Sequence, residues 1–278
     1  MVTLEAILER NNLNRAYKQV KANRGGPGVD GMTVDEFLDY LRAHAVEIVE
    51  TVKAGKYKPQ PVRRVMIPKE EKGKFRPLGI PTAVDRVIQQ AIAQKLSDEY
   101  EPVFSLHSHG FRPCRSCRTA IDEALDIANQ GYVWVVDLDL SKFFDTVNHS
   151  KLLQLLSDKL KDGRVVSLIH KILRAPIQEG DKIMPCEIGT PQGGPVSPVL
   201  ANIMLNELDH GSVRISVSGE VIPGAAQRGC LLFFVMQYAR PDAIAGAKVE
   251  GPARSAGGSS LAPAIARREA AGALAREV

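Results

Sequence analysis

The chain has 278 residues, of which 44% are apolar and 24% are charged, and its formal net charge is +4. Such a composition is globular and supplies the core of one large domain or of two small ones. The sequence lacks both the run of roughly 20 apolar residues that a membrane span needs and the residue order of a secretory signal. We therefore expect a cytoplasmic protein without a membrane partner.

The first predicted element is a basic helix near the N-terminus. Helical spacing relates four apolar residues, Leu13, Ala16, Tyr17 and Val20. The cations that accompany this stripe are Arg15, Lys18, Lys21 and Arg24. We interpret these four side chains as a candidate surface for binding RNA phosphates.

A basic β-hairpin is predicted next. Residues 62–68 are β-branched and partly alternating, residues 70–74 form a polar turn, and residues 75–80 form the second strand. A basic run at such a turn is usually a solvated edge, and the alternative is that Lys69 and Arg76 clamp a triphosphate. Thr82-x-x-Asp85 then signals the start of a helix.

Two acids lie on the following predicted strand, residues 132–140. Asp137 and Asp139 share one face because side chains two residues apart on a strand point the same way. Buried carboxylates are costly unless they hold a cation or a basic partner, so magnesium is one interpretation and a salt bridge or helix cap is the other. Phe143 and Phe144 follow directly and suggest a wall for the sugar of a nucleotide.

A Gly/Pro-rich loop, residues 188–198, precedes the last regular helix. Its glycines allow a backbone to approach a ligand closely, Gln192 offers both a donor and an acceptor, and Ser197 is a good helix start. The alternative is a simple turn that caps the helix. The predicted apolar face of this helix consists of Val199, Leu200, Ile203, Met204 and Leu208.

The composition changes close to His210. Residues 1–210 hold 15 Lys and 13 Arg, whereas residues 211–278 hold 1 Lys, 7 Arg, 15 Ala and 9 Gly. One interpretation is an Ala/Gly-rich linker. We favour the other, in which this tail is translated from a shifted reading frame of GC-rich DNA.

Five motifs occur in an order and at a spacing that resemble those of the reverse transcriptases encoded by group II introns. They are Gly25–Gly31, Arg76–Thr82 with Asp85-Arg86, His109–Pro113, Val136–Asp145, and Gly189–Gly194 with Leu200–Asn202. The resemblance covers residues 10–210. It implies an α+β fold of the right-hand polymerase type, with fingers at 1–100 and a partial palm at 101–210. The tail, 211–278, is expected to be unrelated to the family and poorly ordered.

The resemblance also implies a two-metal nucleotidyl transfer that adds dNTPs to a primer 3′-OH. Asp139 would bind two Mg²⁺ ions with the help of the Leu140 carbonyl, and Asp137 would be a secondary palm acid. The partners implied are an intron RNA template, a DNA primer and dNTPs, and the sequence allows a homodimer.

The same family assigns four residues to the incoming nucleotide. Lys69 and Arg76 would hold its triphosphate, and Phe144 would exclude a ribose 2′-OH. Gln192 would pack beside the nascent base pair.

One departure from the family concerns its second pair of acids. The 278 residues contain no Tyr-x-Asp-Asp string, and the nearest string carries Arg240 and Pro241 in place of the acids. We therefore expect a truncated, catalytically inactive reverse transcriptase. The alternatives are a non-catalytic RNA-binding fragment of the maturase kind and one half of a split polymerase. Reverse transcriptases of other mobile or defence-associated systems share these motifs.

Overall fold

A computed structural model of the chain describes residues 1–68, 73–130, 134–138, 140, 142–191 and 193–210, together with strand segments 215–217, 220–222, 230–234 and 266–267. Backbone proximity divides the chain into two compact units. One comprises Met1–Val103 with Lys142–Met204, and the other comprises Phe104–Ser141 with Leu205–Val278. Helices and strands occur in both, which confirms the predicted α+β class. The boundaries of fingers, palm and tail stay a prediction.

The described helices are α1 (Leu4–Ile7), α2 (Arg10–Ala22), α3 (Phe37–Lys53), α4 (Ala83–Tyr100), α5 (Cys117–Asn129), α6 (Phe143–Thr146), α7 (His149–Lys159), α8 (Gly163–Leu173) and α9 (Ser197–His210). The described strands are β1 (Val62–Pro68), β2 (Phe75–Ile80), β3 (Trp134–Leu138), β4 (Ile177–Glu179), β5 (Lys182–Met184), β6 (Ile215–Val217), β7 (Glu220–Ile222), β8 (Cys230–Phe234) and β9 (Ala266–Arg267). None of these helices is long and apolar enough to cross a membrane.

Helices α2 and α4 form much of the core of the first unit. Ala16 on α2 and Ala91 and Ile92 on α4 are completely buried. A buried amide adds specificity, since Asn12 Nδ2 donates to the carbonyl oxygens of Ile7 at 2.8 Å and of Ala91 at 3.0 Å. This one side chain therefore links α1, α2 and α4.

The predicted hairpin is confirmed and belongs to a four-stranded sheet of order β2-β1-β4-β5. Strands β1 and β2 are antiparallel, with Arg64 opposite Gly79 and Ile67 opposite Arg76. Strand β4 joins β1 in parallel. Because successive side chains of a strand alternate between its faces, Arg64 and Arg76 lie on opposite faces of the sheet.

The two predicted helix starts at Thr82 and Ser197 are also confirmed. The Thr82 hydroxyl accepts a hydrogen bond from the Asp85 amide at 3.2 Å, which satisfies an amide of the first turn of α4. Helix α9 begins at Ser197, and the five residues of its predicted apolar face are all buried.

The second unit contains α5 and β3. Ser116 and Thr119 form a capping box at the start of α5. Strand β3 runs parallel to β8, with Trp134 opposite Cys230, and parallel to β9, with Asp137 opposite Arg267. The neighbours of β3 in its sheet therefore come from residues 211–278.

Candidate functional site

The paired aromatic residues form a short helix in the first unit. Helix α6 follows Lys142, whose φ of 52° is left-handed and turns the chain. The rings of Phe143 and Phe144 meet edge to face, with centroids 5.8 Å apart. Both residues are half-buried, so part of each surface remains accessible.

We call α6 and the residue that follows it, Phe143–Val147, the aromatic turn. The segment Gly189-Thr190 is hydrogen-bonded to this turn. The Thr190 amide donates to the Phe144 carbonyl at 2.6 Å, and the Gly189 amide donates to the Val147 carbonyl at 2.9 Å. Gly189 has a φ of +83°, and a Cβ at this position would lie 2.8 Å from the Phe144 carbonyl oxygen. Glycine is required here because the backbones touch and φ is positive.

The continuation of this loop lies against β2 and α4. A Cβ at Gly193 would collide with the Gly79 carbonyl oxygen, and a Cβ at Gly194 would lie 2.5 Å from Gln89 Oε1. The Ser197 hydroxyl donates to the Pro191 carbonyl at 2.8 Å and fixes the end of the loop. The two glycines therefore allow the loop to pack closely against β2 and α4. Their close approach to a ligand stays a prediction.

A cavity of about 280 Å³ opens beside these segments. Its lining residues are Val62, Arg64, Pro77, Gly79, Phe144, Asp145, Ile177, Cys186, Ile188, Gly189, Thr190 and Pro191. Arg64 forms an ion pair with Glu179 at 3.4 Å, and burial raises the pKa of the Cys186 thiol above its ordinary value. The cavity lining thus combines apolar residues with one cationic residue, Arg64, and one acidic residue, Asp145.

The Asp85-Arg86 motif forms a buried polar cluster beneath the Gly25–Gly31 loop. The Asp85 carboxylate accepts hydrogen bonds from the Tyr57 hydroxyl at 2.5 Å, the Thr82 hydroxyl at 2.6 Å and the Gln60 amide at 3.2 Å. Burial raises the pKa of Asp85, and these hydrogen bonds oppose that shift. Burial lowers the pKa of Arg86, whose guanidinium leaves no room for a Cβ at Gly25.

The predicted metal and nucleotide residues are only partly described. Asp139, Lys69 and Gln192 lie outside the described residues. Asp137 belongs to β3, and Leu140 is half-buried. In the part of the chain that the structure describes, no three His, Cys, Asp or Glu residues form a group that could hold a metal ion.

Among the predicted nucleotide residues, the structure describes Phe144 and Arg76. Phe144 lines the cavity, whereas Arg76 is not among its lining residues and lies on the face of β2 opposite to that of Arg64. The structure therefore does not bring Arg76 and Phe144 together at this cavity.

The predicted RNA-binding cations are exposed. Arg15, Lys18 and Lys21 recur every third residue on α2, and Arg24 follows the helix. Arg15 has a weak contact with Asp98, at 3.9 Å, and its side chain is 57% exposed. The surface is thus available for phosphate contacts.

Sequence reasoning missed two residues of this site, Arg64 and His149. His149 Nε2 donates to the Gly189 carbonyl at 2.6 Å. The available signals were that Arg64 lies on a predicted strand and that His149 follows the aromatic pair. Neither signal distinguishes a site residue from a structural one.

Comparison with known proteins agrees with these observations. The model of the family "Reverse transcriptase (RNA-dependent DNA polymerase)" matches residues 67–216, more than half of the chain. Group II intron-encoded protein LtrA of Lactococcus lactis subsp. cremoris is 42% identical over 194 residues, which are 70% of this chain and 32% of that protein. Protein YkfC of Escherichia coli strain K12 is 38% identical over 212 residues, 74% of this chain and 55% of that protein.

A solved structure supports the fold alone. A chain of a partial Cas6-RT-Cas1–Cas2 complex has a TM-score of 0.51 and 24% identity, and the match covers 75% of this chain and 34% of that one. The present chain spans about a third of the length of LtrA and about half that of YkfC. The family match, which covers more than half of the chain, shows that the chain belongs to the reverse transcriptase family.

Proposed function

We propose that the chain forms the nucleotide-selecting fingers and the first part of the palm of an RNA-directed DNA polymerase of the group II intron type. The supporting observation is the 2.6 Å hydrogen bond from the Thr190 amide to the Phe144 carbonyl. It joins the aromatic turn to the loop that carries Gln192. In this role Phe144 excludes the 2′-OH of a ribonucleotide, and Gln192 packs beside the new base pair.

The triphosphate of the incoming dNTP is assigned to Lys69 and Arg76. Arg76 is on strand β2 and Lys69 follows the end of β1, so both belong to the same hairpin. Guanidinium and ammonium groups are suited to phosphate oxygens.

Magnesium is assigned to the Asp139 carboxylate and the Leu140 carbonyl, which are oxygen ligands of the kind that Mg²⁺ prefers. The described residues do not complete such a site, and the 278 residues lack the Tyr-x-Asp-Asp string. We therefore propose that this polypeptide by itself does not polymerise.

A primer-extension assay tests this proposal. The purified chain is incubated with an RNA template, a DNA primer, dNTPs and Mg²⁺, and the expected result is no elongation. Robust elongation that Asp139→Ala abolishes, and that the surface variant Asp122→Ala leaves intact, overturns the proposal. The proposed setting is the cytoplasm, with intron RNA as the natural template.

The exposed cations of α2 favour a second function, binding of intron RNA without catalysis. Phosphate contacts do not require a metal-binding acid, so Asp139→Ala should leave RNA binding unchanged. Binding that weakens steeply with salt and is insensitive to this variant supports the second function. Binding that is lost with Asp139→Ala contradicts it.

A third candidate is one half of a split polymerase, completed by a separate chain with the missing acids. The coding DNA downstream of codon 210 distinguishes this case from a broken gene. A Tyr-x-Asp-Asp coding string in another frame of the same gene indicates a frameshift. The same string in an adjacent open reading frame indicates a partner chain.

A further inference from the structure

His149 is a buried histidine directly after the aromatic turn. It is the first residue of α7, whose N-cap Asn148 accepts a hydrogen bond from the Lys151 amide at 3.1 Å. The side chain is oriented toward the loop before α9, because Nε2 donates to the Gly189 carbonyl at 2.6 Å. His149 is 7% exposed, so water does not readily replace this hydrogen bond.

Three hydrogen bonds therefore connect two segments that are about 40 residues apart in the sequence. Two run from the Gly189 and Thr190 amides to the carbonyls of Val147 and Phe144, at 2.9 and 2.6 Å. The third runs in the reverse direction, from His149 to Gly189. It is the only one of the three that depends on a side chain.

The geometry of Gly189 makes this third hydrogen bond important for the other two. Its φ of +83° turns both its amide and its carbonyl toward the Phe144–His149 segment. Glycine has wide conformational freedom, so each hydrogen bond to this segment, including that from His149, helps to hold one conformation. We expect the Gly189-Thr190 segment to shift when that partner is removed, and the Phe144 backbone to lose its donor.

We infer that His149 is a positioning residue for the selection of deoxynucleotides. This inference rests on the proposed function, in which Phe144 contacts the sugar and Gln192 contacts the base pair. The proposed role of His149 is indirect, because its side-chain hydrogen bond is to the Gly189 carbonyl. It fixes the Gly189 carbonyl and thereby the relative position of Phe144 and of the loop that carries Gln192.

The test compares three variants of the full chain. His149→Leu removes the donor and retains a buried apolar side chain, whereas His149→Gln supplies an amide donor of similar reach. His44→Leu is the matched control, because His44 lies on α3 and its side chain is 44% exposed.

The first measurement is nucleotide selection without chemistry. The chain is bound to an RNA template and a DNA primer that ends in a dideoxynucleotide, and dGTP and GTP are compared in their ability to stabilise the complex. Wild type, His149→Gln and His44→Leu should prefer dGTP equally. In His149→Leu the preference should fall by about two- to tenfold, the factor that corresponds to one hydrogen bond.

The second measurement is hydrogen exchange at the Gly189 and Thr190 amides. Exchange should be faster in His149→Leu than in the wild type, and His149→Gln should restore the slow rate. Core amides of α4 report whether the variant is folded.

The outcomes separate this inference from the proposed function. A wild-type complex that neither nucleotide stabilises contradicts the proposed function and, with it, the inference. Wild-type preference for dGTP that persists in His149→Leu contradicts the inference alone. Faster exchange with unchanged preference also overturns it, because His149 would then have only a structural role.

Discussion

At the scale of single residues, Gly189 combines a positive φ with close backbone contact. A Cβ would lie 2.8 Å from the Phe144 carbonyl oxygen and 2.9 Å from that of Asp145, and backbone atoms yield less readily than side chains. Gly55 is a suitable comparison, since its φ is +66° and no atom lies within 4 Å of its Cβ position. Comparing alanine substitutions at the two glycines therefore separates the free-energy cost of a positive φ from that of the close backbone contact.

We expect Gly55→Ala to lower the free energy of unfolding by about 1 kcal/mol, the cost of a left-handed alanine. Gly189→Ala should lower it by at least about 1 kcal/mol more, because the added methyl group overpacks the segment. Urea unfolding of both variants measures the difference. Equal losses would contradict the backbone contact described here.

Asp162 provides a prediction that depends on pH. Its carboxylate accepts hydrogen bonds from the Arg164 side chain at 2.8 Å and from the Leu4 amide at 2.9 Å. The hydrogen bond from Arg164 contributes most to lowering the pKa of Asp162 from 3.8 to about 2. A lowered carboxylate pKa stabilises the fold above pH 3.8, and this stabilisation is lost as the pH falls through about 2.

Asp162→Ala should therefore lower the free energy of unfolding by about 1–2 kcal/mol at pH 7, the usual effect of removing a helix N-cap. The difference from the wild type should shrink between pH 4 and pH 2. Urea unfolding across this range measures it, with the exposed Asp126→Ala variant as the control. A difference that is unchanged at pH 2 contradicts the ionic contribution.

At the scale of elements, the sequence predicted what local patterns determine. The strand bounds 62–68 and 75–80 agree with β1 and β2, and Thr82 begins α4 through its own side chain. Turn composition, alternation and caps are local, so one sequence suffices to detect them. The apolar face of α9 was predicted for the same reason.

The rest of the site could not be predicted because it depends on contacts between distant segments. The parallel pairing of Val62 with Ile177 places Arg64 near Glu179, and no local pattern indicates which strands pair. His149 donates to a carbonyl 40 residues away in the sequence. Every residue has a backbone carbonyl, so the residue type does not show which one accepts this hydrogen bond. Sequence reasoning therefore missed contacts between distant segments, both the ion pair of Arg64 and the hydrogen bond of His149 to a main-chain carbonyl.

Asn12 tests how strongly one buried amide couples three helices. Its Nδ2 donates to α1 and α4 carbonyls, and its Oδ1 accepts from Gln94 Nε2 at 2.8 Å. Asn12→Ala should lower the free energy of unfolding by about 2–3 kcal/mol, because it leaves buried partners unsatisfied. Asn11→Ala, at the exposed neighbouring position, should change it by less than about 0.5 kcal/mol. Chemical denaturation of both variants measures these changes. Equal changes would contradict the coupling of α1, α2 and α4 through Asn12.

At the scale of the whole molecule, each compact unit is discontinuous in sequence. The first unit contains the hairpin, the aromatic turn and the loop before α9, and the second contains β3. The aromatic turn and the loop are therefore organised within one unit, by the contacts among Phe144, His149 and Gly189. The contacts on which the proposed nucleotide selection depends are therefore all made within the first unit.

The proposed RNA binding can depend on a local cluster of cations or on the overall net charge of the molecule. The salt dependence of RNA binding distinguishes these two cases. We compare a variant in which Arg15, Lys18, Lys21 and Arg24 are all replaced by Gln with a control in which Lys56, Lys151, Lys161 and Lys182 are replaced. All eight side chains are exposed, and either set reduces the formal net charge of +4 to zero. Overall charge alone therefore predicts the same weakening for both variants.

If α2 binds phosphates, the two variants should differ. Each lost phosphate contact lowers the slope of log affinity against log salt by about 0.7–0.9, so the α2 variant should lose up to about 3 units of slope. The control should lose much less, because its lysines are distributed over other elements. Filter binding of intron RNA at several salt concentrations measures both slopes. Equal losses indicate non-specific attraction by net charge and contradict an RNA-binding surface on α2.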